Sequence, residues 1–449
     1  MTYECAGPQK TKQRWCILNK IKNNSEFDEA SEDQAPATEL ETIRQEAELG
    51  TLHIIQETIQ PLYGLLETAI TDSATDIHFD PVGDHFFIRF RINGIIRNRG
   101  MIPQDEAKQM LLQLRAYAGM GISKTFTALE SQCKWLGEEV VKDIRVTIVP
   151  IGGTVSAHLR ILTPPEFIKN IENLGLEKKD ASAIRRHLSS AQGLVVVGGP
   201  TGAGKTTTIY SLANMFDLES IIGVSIEDPI EFDIPYMRQL EVDTRHDLLM
   251  PEGLRALLRM DPDLLMVTEI RDEQSAITVA RAATAASLIL STIHSGDAAG
   301  AVEAFHFFNV PCHILGSCLR VIIAQNLVRA LCPECKISRN PTKEDRELFE
   351  RWDVTMPDEI FDPRTGGCGN CDHYGFYGRT GIFEVVEVDE EVRKAIISGT
   401  SPMDLRKKFR NKGFSSIFQN GLYKVAAGDT SMKELLDLYW PDFGGSGID

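Results

Sequence analysis

The chain has 449 residues, enough for roughly two or three domains. Hydrophobic residues make up 43% and charged residues 25%, ordinary values for a soluble globular protein, and no apolar run is long enough to span a bilayer. A formal net charge of −17 argues against non-specific nucleic-acid binding as the main activity.

Met1-Thr-Tyr-Glu-Cys-Ala-Gly-Pro-Gln-Lys10 lacks the basic start and apolar core of a signal peptide. A cytosolic enzyme is therefore expected, with any membrane role supplied through a partner. Residues 1–50 are expected to be poorly ordered, because Asn23-Asn-Ser-Glu-Phe-Asp-Glu-Ala-Ser-Glu-Asp-Gln34 is polar and acidic with little to bury. Residues 51–163 read as a small α+β domain. Helical periodicity runs from Leu52 to Ala69 and from Ala107 to Ala118. Phe86–Ile92 and Ile95–Arg97 flank Asn93-Gly94, a pair that tolerates positive φ and so favours a hairpin turn. Val140–Pro150 and Thr154–Leu162 read as two more strands around Gly152-Gly153. Residues 164–192 read as a linker, marked by Thr163-Pro-Pro165, and a helix, Leu176–Ser190.

A nucleotide-binding core is expected over 193–310. Strand signals at Leu194–Gly198, Gly223–Ile226, Leu264–Val267 and Leu288–Ser291 alternate with helical stretches, among them Pro251–Met260 and Glu273–Ala286. That alternation predicts a mostly parallel sheet covered on both faces. Between the first strand and a helix beginning at Thr207 lies Gly199-Pro-Thr-Gly-Ala-Gly-Lys-Thr206, which fits the phosphate-binding pattern G-x-x-x-x-G-K-S/T. Gly199, Pro200, Thr201, Gly202, Ala203, Gly204, Lys205, Thr206 and Thr207 are thus candidates to cradle ATP. The glycines let backbone N–H groups close on a polyphosphate at a helix N-terminus. Lys205 would neutralise the β- and γ-phosphates, and the Thr206 hydroxyl would ligate Mg²⁺.

Phosphoryl transfer also needs carboxylates near Mg²⁺ and the attacking water, and in open α/β sheets these sit at the carboxyl ends of strands. Three strand ends supply candidates: Glu227, Asp228 and Glu231 in Ile226-Glu-Asp-Pro-Ile-Glu-Phe232, Glu269 after Leu264–Val267, and His294 after Leu288–Ser291. For Glu269 the competing reading is a structural ion pair with Arg271.

Residues 311–400 read as a continuation of the core with a cysteine module, and residues 401–449 as a helical region. Cys332-Pro-Glu-Cys335 and Cys368-Gly-Asn-Cys371 form two C-x-x-C knuckles. Four thiolates at this spacing can converge on one tetrahedral Zn²⁺. With no open coordination position, such a metal would be structural. A helix-rich loop, Thr342–Trp352, must fit between the knuckles. The other five of the nine cysteines are scattered and read as free thiols.

Taken together, residues 199–208, Ile226–Glu231, Asp261–Asp263 with Glu269–Asp272, and Ser291–His294 resemble the Walker A, Asp box, Walker B and His box of the secretion-superfamily ATPases. Those proteins drive type II secretion and type IV pilus assembly. The resemblance extends from about Ser73 to the C-terminus and takes in Ala74–His78, Arg89–Gly94, Arg255 and Arg259. It implies a RecA-like P-loop NTPase core, a smaller PAS-like α+β domain before it, and a zinc-bearing module behind. It implies ATP, Mg²⁺ and Zn²⁺ as ligands and a cytoplasmic homo-hexamer. This would work peripherally on inner-membrane platform and docking proteins, with no direct nucleic-acid contact. Carried over by position, Glu231 is the water-activating carboxylate, with Glu227 and Asp228 as rivals. Glu269 supports Mg²⁺, His294 couples the γ-phosphate to motion, and Arg145 reaches the nucleotide from the small domain. Some positions depart from the family: Ala285-Ala-Ser287 where Thr-Gly-His is usual, Ala304-Phe305 for Arg-Leu, Thr268 for Gly, and Lys134 near a second small-domain arginine. Two other readings remain open here: a DNA-translocating or conjugation motor, and a nucleotide-dependent assembly scaffold with weak hydrolysis.

Overall fold

A computed structural model describes residues 60–443, apart from 122–126, 137–140, 163–170, 191, 244–247 and 286. The acidic stretch within 1–50, the start of the helix expected at Leu52, and Thr163-Pro-Pro165 lie outside the described residues. By its contacts the chain divides between Tyr63 and Gly64. The architecture below belongs to the unit from Gly64 onward.

Six strands form an antiparallel sheet: β1 Ala74–Val82, β2 His85–Ile92, β3 Ile95–Pro103, β4 Leu129–Leu136, β5 Val141–Ile151 and β6 Thr154–Leu162. Their order is β3-β2-β1-β6-β5-β4. Asn93 and Gly94 take φ of 50° and 82° at the β2–β3 turn, as the Asn-Gly pair predicts. Strand β3 runs six residues past the expected Arg97, and β1 and β4 were not among the expected strands. The two faces differ in chemistry. Ile77, Phe79, Ile88, Phe90, Ile144, Val146 and Leu159 are buried, and the helix Gln104–Tyr117 packs on β2 and β3. In the ladder, Arg145 stands opposite Arg160, Arg160 opposite Asp76, and Asp76 opposite Arg91. Directly opposite residues share a face, so this row of charge crosses the sheet on its polar side.

The second sheet has seven strands in the order β15-β12-β7-β11-β10-β8-β9. They are β7 Gly193–Gly198, β8 Gly223–Glu227, β9 Arg238–Glu241, β10 Leu264–Val267, β11 Leu288–Ile293, β12 Leu319–Leu331 and β15 Phe376–Glu387. Every neighbouring pair from β12 to β9 is parallel, and β15 closes the edge antiparallel to β12. Each residue of β7, β8, β10 and β11 is buried, as central parallel strands with helices on both sides must be. Val195 and Val197 pack with Ile184, Ile209 and Tyr210, from helices Lys178–Leu188 and Lys205–Ala213. Leu194 and Val196 share the opposite core with Leu254, Val279 and Phe305, from helices Met250–Leu257, Glu273–Ala285 and Ala298–Phe307. Helices Pro402–Asn411, Ile417–Ala426 and Met432–Phe443 add Phe409, Leu422 and Leu435 to that core. The sheet therefore continues past 310 through β12 and β15. Between them lie a two-stranded pairing of β13 Ile337–Arg339 with β14 Ile360–Asp362 and the helix Lys343–Arg351, capped by Thr342.

One buried carboxylate in β15 gives a pH signature. Glu384 is 5% exposed. It accepts backbone N–H groups from Ala298 and Ile417, the first residues of two helices. Burial first, and then the charge of Asp297, pushes its pKa up to about 8 against the pull of Arg406. The folded protein thus retains a proton that the unfolded chain releases. Stability from this group is complete below the ordinary value of 4.5 and is lost as pH rises towards about 8. Glu384→Gln keeps an acceptor oxygen and removes the titration. Its melting temperature is expected to fall less steeply than the wild type's across that interval, and parallel profiles would refute the assignment.

Candidate active site

Strand β7 delivers the chain to the phosphate loop with its last residue packed against the β11 end: a Cβ on Gly198 would sit 2.3 Å from Ser295 Oγ. At Gly199 a Cβ would lie 2.6 Å from the Gln325 carbonyl. Gly202 and Gly204 take φ of 80° and 82°, a region that side chains other than glycine's rarely enter. The loop is braced from β12, where buried Gln325 donates through Nε2 to the Ala203 carbonyl at 2.7 Å. The helix opens at Lys205, placing its N-terminal amides and partial positive charge at the loop. These are the contours a polyphosphate requires. Lys205 Nζ donates to the carbonyls of Gly199 at 2.8 Å and Pro200 at 3.1 Å. Burial lowers its pKa, opposed by the charge of Glu269.

The β8 strand end sorts its three carboxylates. Glu227 is fully buried and accepts hydrogen bonds from Ser225 Oγ at 2.6 Å, Gln239 Nε2 at 2.8 Å and the Tyr210 hydroxyl. Tyr210 in turn accepts the backbone N–H groups of Glu231 and Phe232 at 3.3 and 3.4 Å. Glu227 is thus the hub that shapes the loop. Asp228, joined to Pro229 by a cis peptide bond, accepts from Arg271 at 2.9 Å. Glu231 accepts from the Thr206 hydroxyl at 3.3 Å, which joins the expected water-activating and Mg²⁺-binding side chains. Burial raises the Glu231 pKa, with the Thr206 hydrogen bond and the charges of Arg160 and Arg145 pulling it back.

At the ends of β10 and β11, Glu269 accepts from Arg271 Nε at 2.7 Å and pairs with His294 Nε2. His294 Nδ1 stands 3.4 Å from Lys205 Nζ. Asp228, Arg271, Glu269, His294 and Lys205 therefore form one continuous polar chain. The ion pair of Glu269 with Arg271, the competing structural reading, is present alongside the contact to His294.

Arg145 acts by its charge on Glu231 from the six-stranded sheet while its Nε donates to Glu130 at 2.5 Å. The sequence reading did not single out Arg160, whose Nε donates to Asp76 Oδ1 at 3.1 Å and whose charge also acts on Glu231. The signal was the alternating polar face of β6, and only the register, Arg160 opposite Arg145, reveals it. Tyr210, Gln239 and Gln325 left no local signal. The departures are accommodated in place. Ser287 Oγ donates to the Pro262 carbonyl at 2.8 Å, Thr268 Oγ1 to Ile226 at 3.4 Å, and Lys134 stands opposite Asp143. Ala304 packs against the core.

Away from this cleft, Cys332, Cys335, Cys368 and Cys371 converge with all sulfurs within 4.8 Å of one another. Three of the separations are 3.7 to 3.8 Å. Four sulfurs set tetrahedrally about 2.3 Å from one zinc stand about 3.8 Å apart, so the donor set fits this ion. The described cysteines are free thiols, which leaves all four sulfurs available.

A family model described as "Type II/IV secretion system protein" matches residues 52–437. The chain is 33% identical over 380 residues to "Type II secretion system ATPase E" of Vibrio cholerae, covering 84% of this chain and 74% of that one. It is 29% identical over 388 residues to "Type IV pilus assembly ATPase TfpB" of Acinetobacter baylyi, covering 85% and 65%. Among solved structures, the Legionella pneumophila ATPase DotB superposes with a TM-score of 0.60 at 18% identity, covering 84% of this chain and 94% of that one. That likeness speaks to the fold alone.

Proposed function

The chain belongs to the type II/IV secretion system protein family, and from that premise we propose how its site works. It is a secretion-system ATPase of the type II secretion and type IV pilus assembly kind. In our reading, the seven-stranded sheet is a RecA-like motor core and the six-stranded sheet a PAS-like partner domain. The loop at 199–207 takes the phosphates of ATP, and Lys205 leaves the Gly199 and Pro200 carbonyls to neutralise them. Thr206 and Glu269 would hold Mg²⁺, which would neutralise charge on the transferring group. Glu231 accepts the proton of the attacking water as the new oxygen–phosphorus bond forms and the bond to ADP breaks. Its raised pKa suits it to accept that proton at neutral pH. Arg145 and Arg160 bring positive charge from the other domain, as arginine fingers do in other NTPases. His294, between Glu269 and Lys205, is displaced when Lys205 turns to phosphate, which couples the nucleotide state to the β11 end.

The observation that carries this reading is the approach of Thr206 to Glu231 with two arginine charges from the other sheet acting on the same carboxylate. Domain closure over nucleotide would then perform work. We assign that work to a homo-hexamer acting in the cytoplasm on inner-membrane platform and docking proteins. No helix among the described residues is long and apolar enough to cross a membrane. Zinc in the four-cysteine cluster would tie the two knuckles together and leave no coordination position for chemistry.

Mg²⁺-dependent phosphate release should rise per protomer with protein concentration. In Glu231→Gln it should fall by about 10²- to 10⁴-fold, the range of a lost general base. Equal release by wild type and variant would reject the role given to Glu231.

A further inference from the structure

Arg97 stands in β3, an edge strand of the six-stranded sheet, yet it is only 7% exposed. Its Nη1 donates to Asp372 Oδ2 at 2.5 Å. Its Cζ lies 3.6 Å from the centre of the Tyr374 ring, a cation–π stack. Both partners belong to the second cysteine knuckle, one and three residues beyond Cys371. The knuckle's own bonds place them. His373 N donates to the Cys368 carbonyl at 2.9 Å, Tyr374 N to the Cys371 carbonyl at 3.1 Å, and Gly375 N to Cys371 Sγ at 3.1 Å. Asp372 and His373 take φ of 49° and 64° to make this turn. A charge relation runs with the signs exchanged: the charge of Asp76 in β1 acts on Arg379 in β15.

We propose that the knuckle Cys368–Cys371 is the seat of the six-stranded sheet, with Arg97 the positioning residue that holds it there and so sets Arg145 and Arg160 against Glu231. The role given to those arginines rests on the function proposed above, whereas the seat rests on Arg97, Asp372 and Tyr374 alone. The mechanical link is the sheet. Arg97 lies on β3, Asp76 on β1, Arg160 on β6 and Arg145 on β5, and hydrogen-bonded ladders join all of these strands. A tilt at the β3 edge therefore moves the arginines. The electrostatic logic is one-sided. Asp372 is 62% exposed and the Arg97 side chain 6%, so losing Asp372 strands a buried cation. Metal loss would act at the same place, because the turn presenting Asp372 and Tyr374 is folded on Cys368 and Cys371.

The test uses the full chain, with amide hydrogen exchange, bound zinc and phosphate release as readouts. Asp372→Asn and Arg97→Gln are each expected to keep wild-type zinc content and to speed exchange in β3. Each should lower kcat about tenfold with little change in KM, the scale of a misplaced group rather than a missing one. The exchanged pair, Arg97→Glu with Asp372→Arg, should recover β3 protection and most of kcat. Chelating the metal from wild type should loosen β3 together with the knuckle. Wild-type exchange in β3 of both single variants, or chelation that loosens the knuckle and leaves β3 protected, overturns the seat. Loosened β3 with unchanged kcat overturns the positioning role. A wild type without ATP turnover would count against the proposed function, and the exchange measurements would still decide the seat.

Discussion

Lys205→Ala is expected to lower ATP turnover by roughly 10³-fold while the protein folds and melts almost as the wild type does. The size follows from where the ammonium sits. It lies at the mouth of the phosphate loop, half-buried, on the carbonyls of Gly199 and Pro200. There a charge aimed at the transferring phosphoryl group is worth far more than in water, and removing one such donor costs about 10² to 10³ in rate. In the free protein the same ammonium serves two loop carbonyls and the His294 Nδ1, which water can serve once it is gone. The stability change should stay within about 1 kcal/mol. Glu269 also keeps Arg271 and His294 as partners when Lys205 is lost. Phosphate release and a thermal melt on the same preparation separate the two effects. A variant retaining turnover within tenfold of wild type would mean that this loop does not hold the reacting phosphate.

Cys335→Ser should abolish stoichiometric zinc binding and destabilise the segment between β12 and β15. A serine hydroxyl stays protonated at neutral pH and is a poor zinc ligand beside three thiolates. Three of the four cysteines, Cys332, Cys335 and Cys371, are buried, and the cluster packs on little besides itself. The cysteine turns themselves therefore have few apolar contacts to stand in for the metal, while the rest of the segment is anchored in the motor core through Phe349, Val354 and Ile360. Zinc contributes roughly 10–16 kcal/mol to small zinc-dependent folds, and losing a ligand should cost on the order of 5 kcal/mol here. Metal analysis reads the first effect and a melt with protease probing reads the second. Wild-type protein stripped of metal and equally stable would count against the zinc assignment.

How far the chain could be read before its structure varied with the range of the interactions involved. The phosphate loop, the strands at 264 and 288 and the four cysteines rest on local spacing, and each sits where its spacing suggests. The β2–β3 hairpin was readable because Asn93-Gly94 has a backbone preference of its own. Strands β12 and β15 were not. Leu319–Leu331 is a long apolar run with no strict alternation, and Phe376–Glu387 carries Gly378 and Gly381. Only their mutual pairing, spanning more than forty residues, makes them strands of the motor sheet. The same limit hid Arg160 and left Glu227, Asp228 and Glu231 as rivals. Three carboxylates within five residues look alike until Ser225, Gln239 and Tyr210 enclose one of them.

The way β12 hands over to β15 bears on how such a protein can change over evolutionary time. Leu331, the last residue of β12, and Phe376, the first of β15, are cross-strand partners. Everything from 332 to 375, including the helix, the β13–β14 pair and all four cysteines, is an excursion whose two ends already stand side by side. A tight turn could join them without disturbing a single rung of the motor sheet. An insertion or deletion there leaves the pairing of the sheet intact, while the places that Phe349, Val354 and Ile360 fill in the motor core must be refilled. A lineage that dropped it would need another foothold for the arginine-bearing sheet.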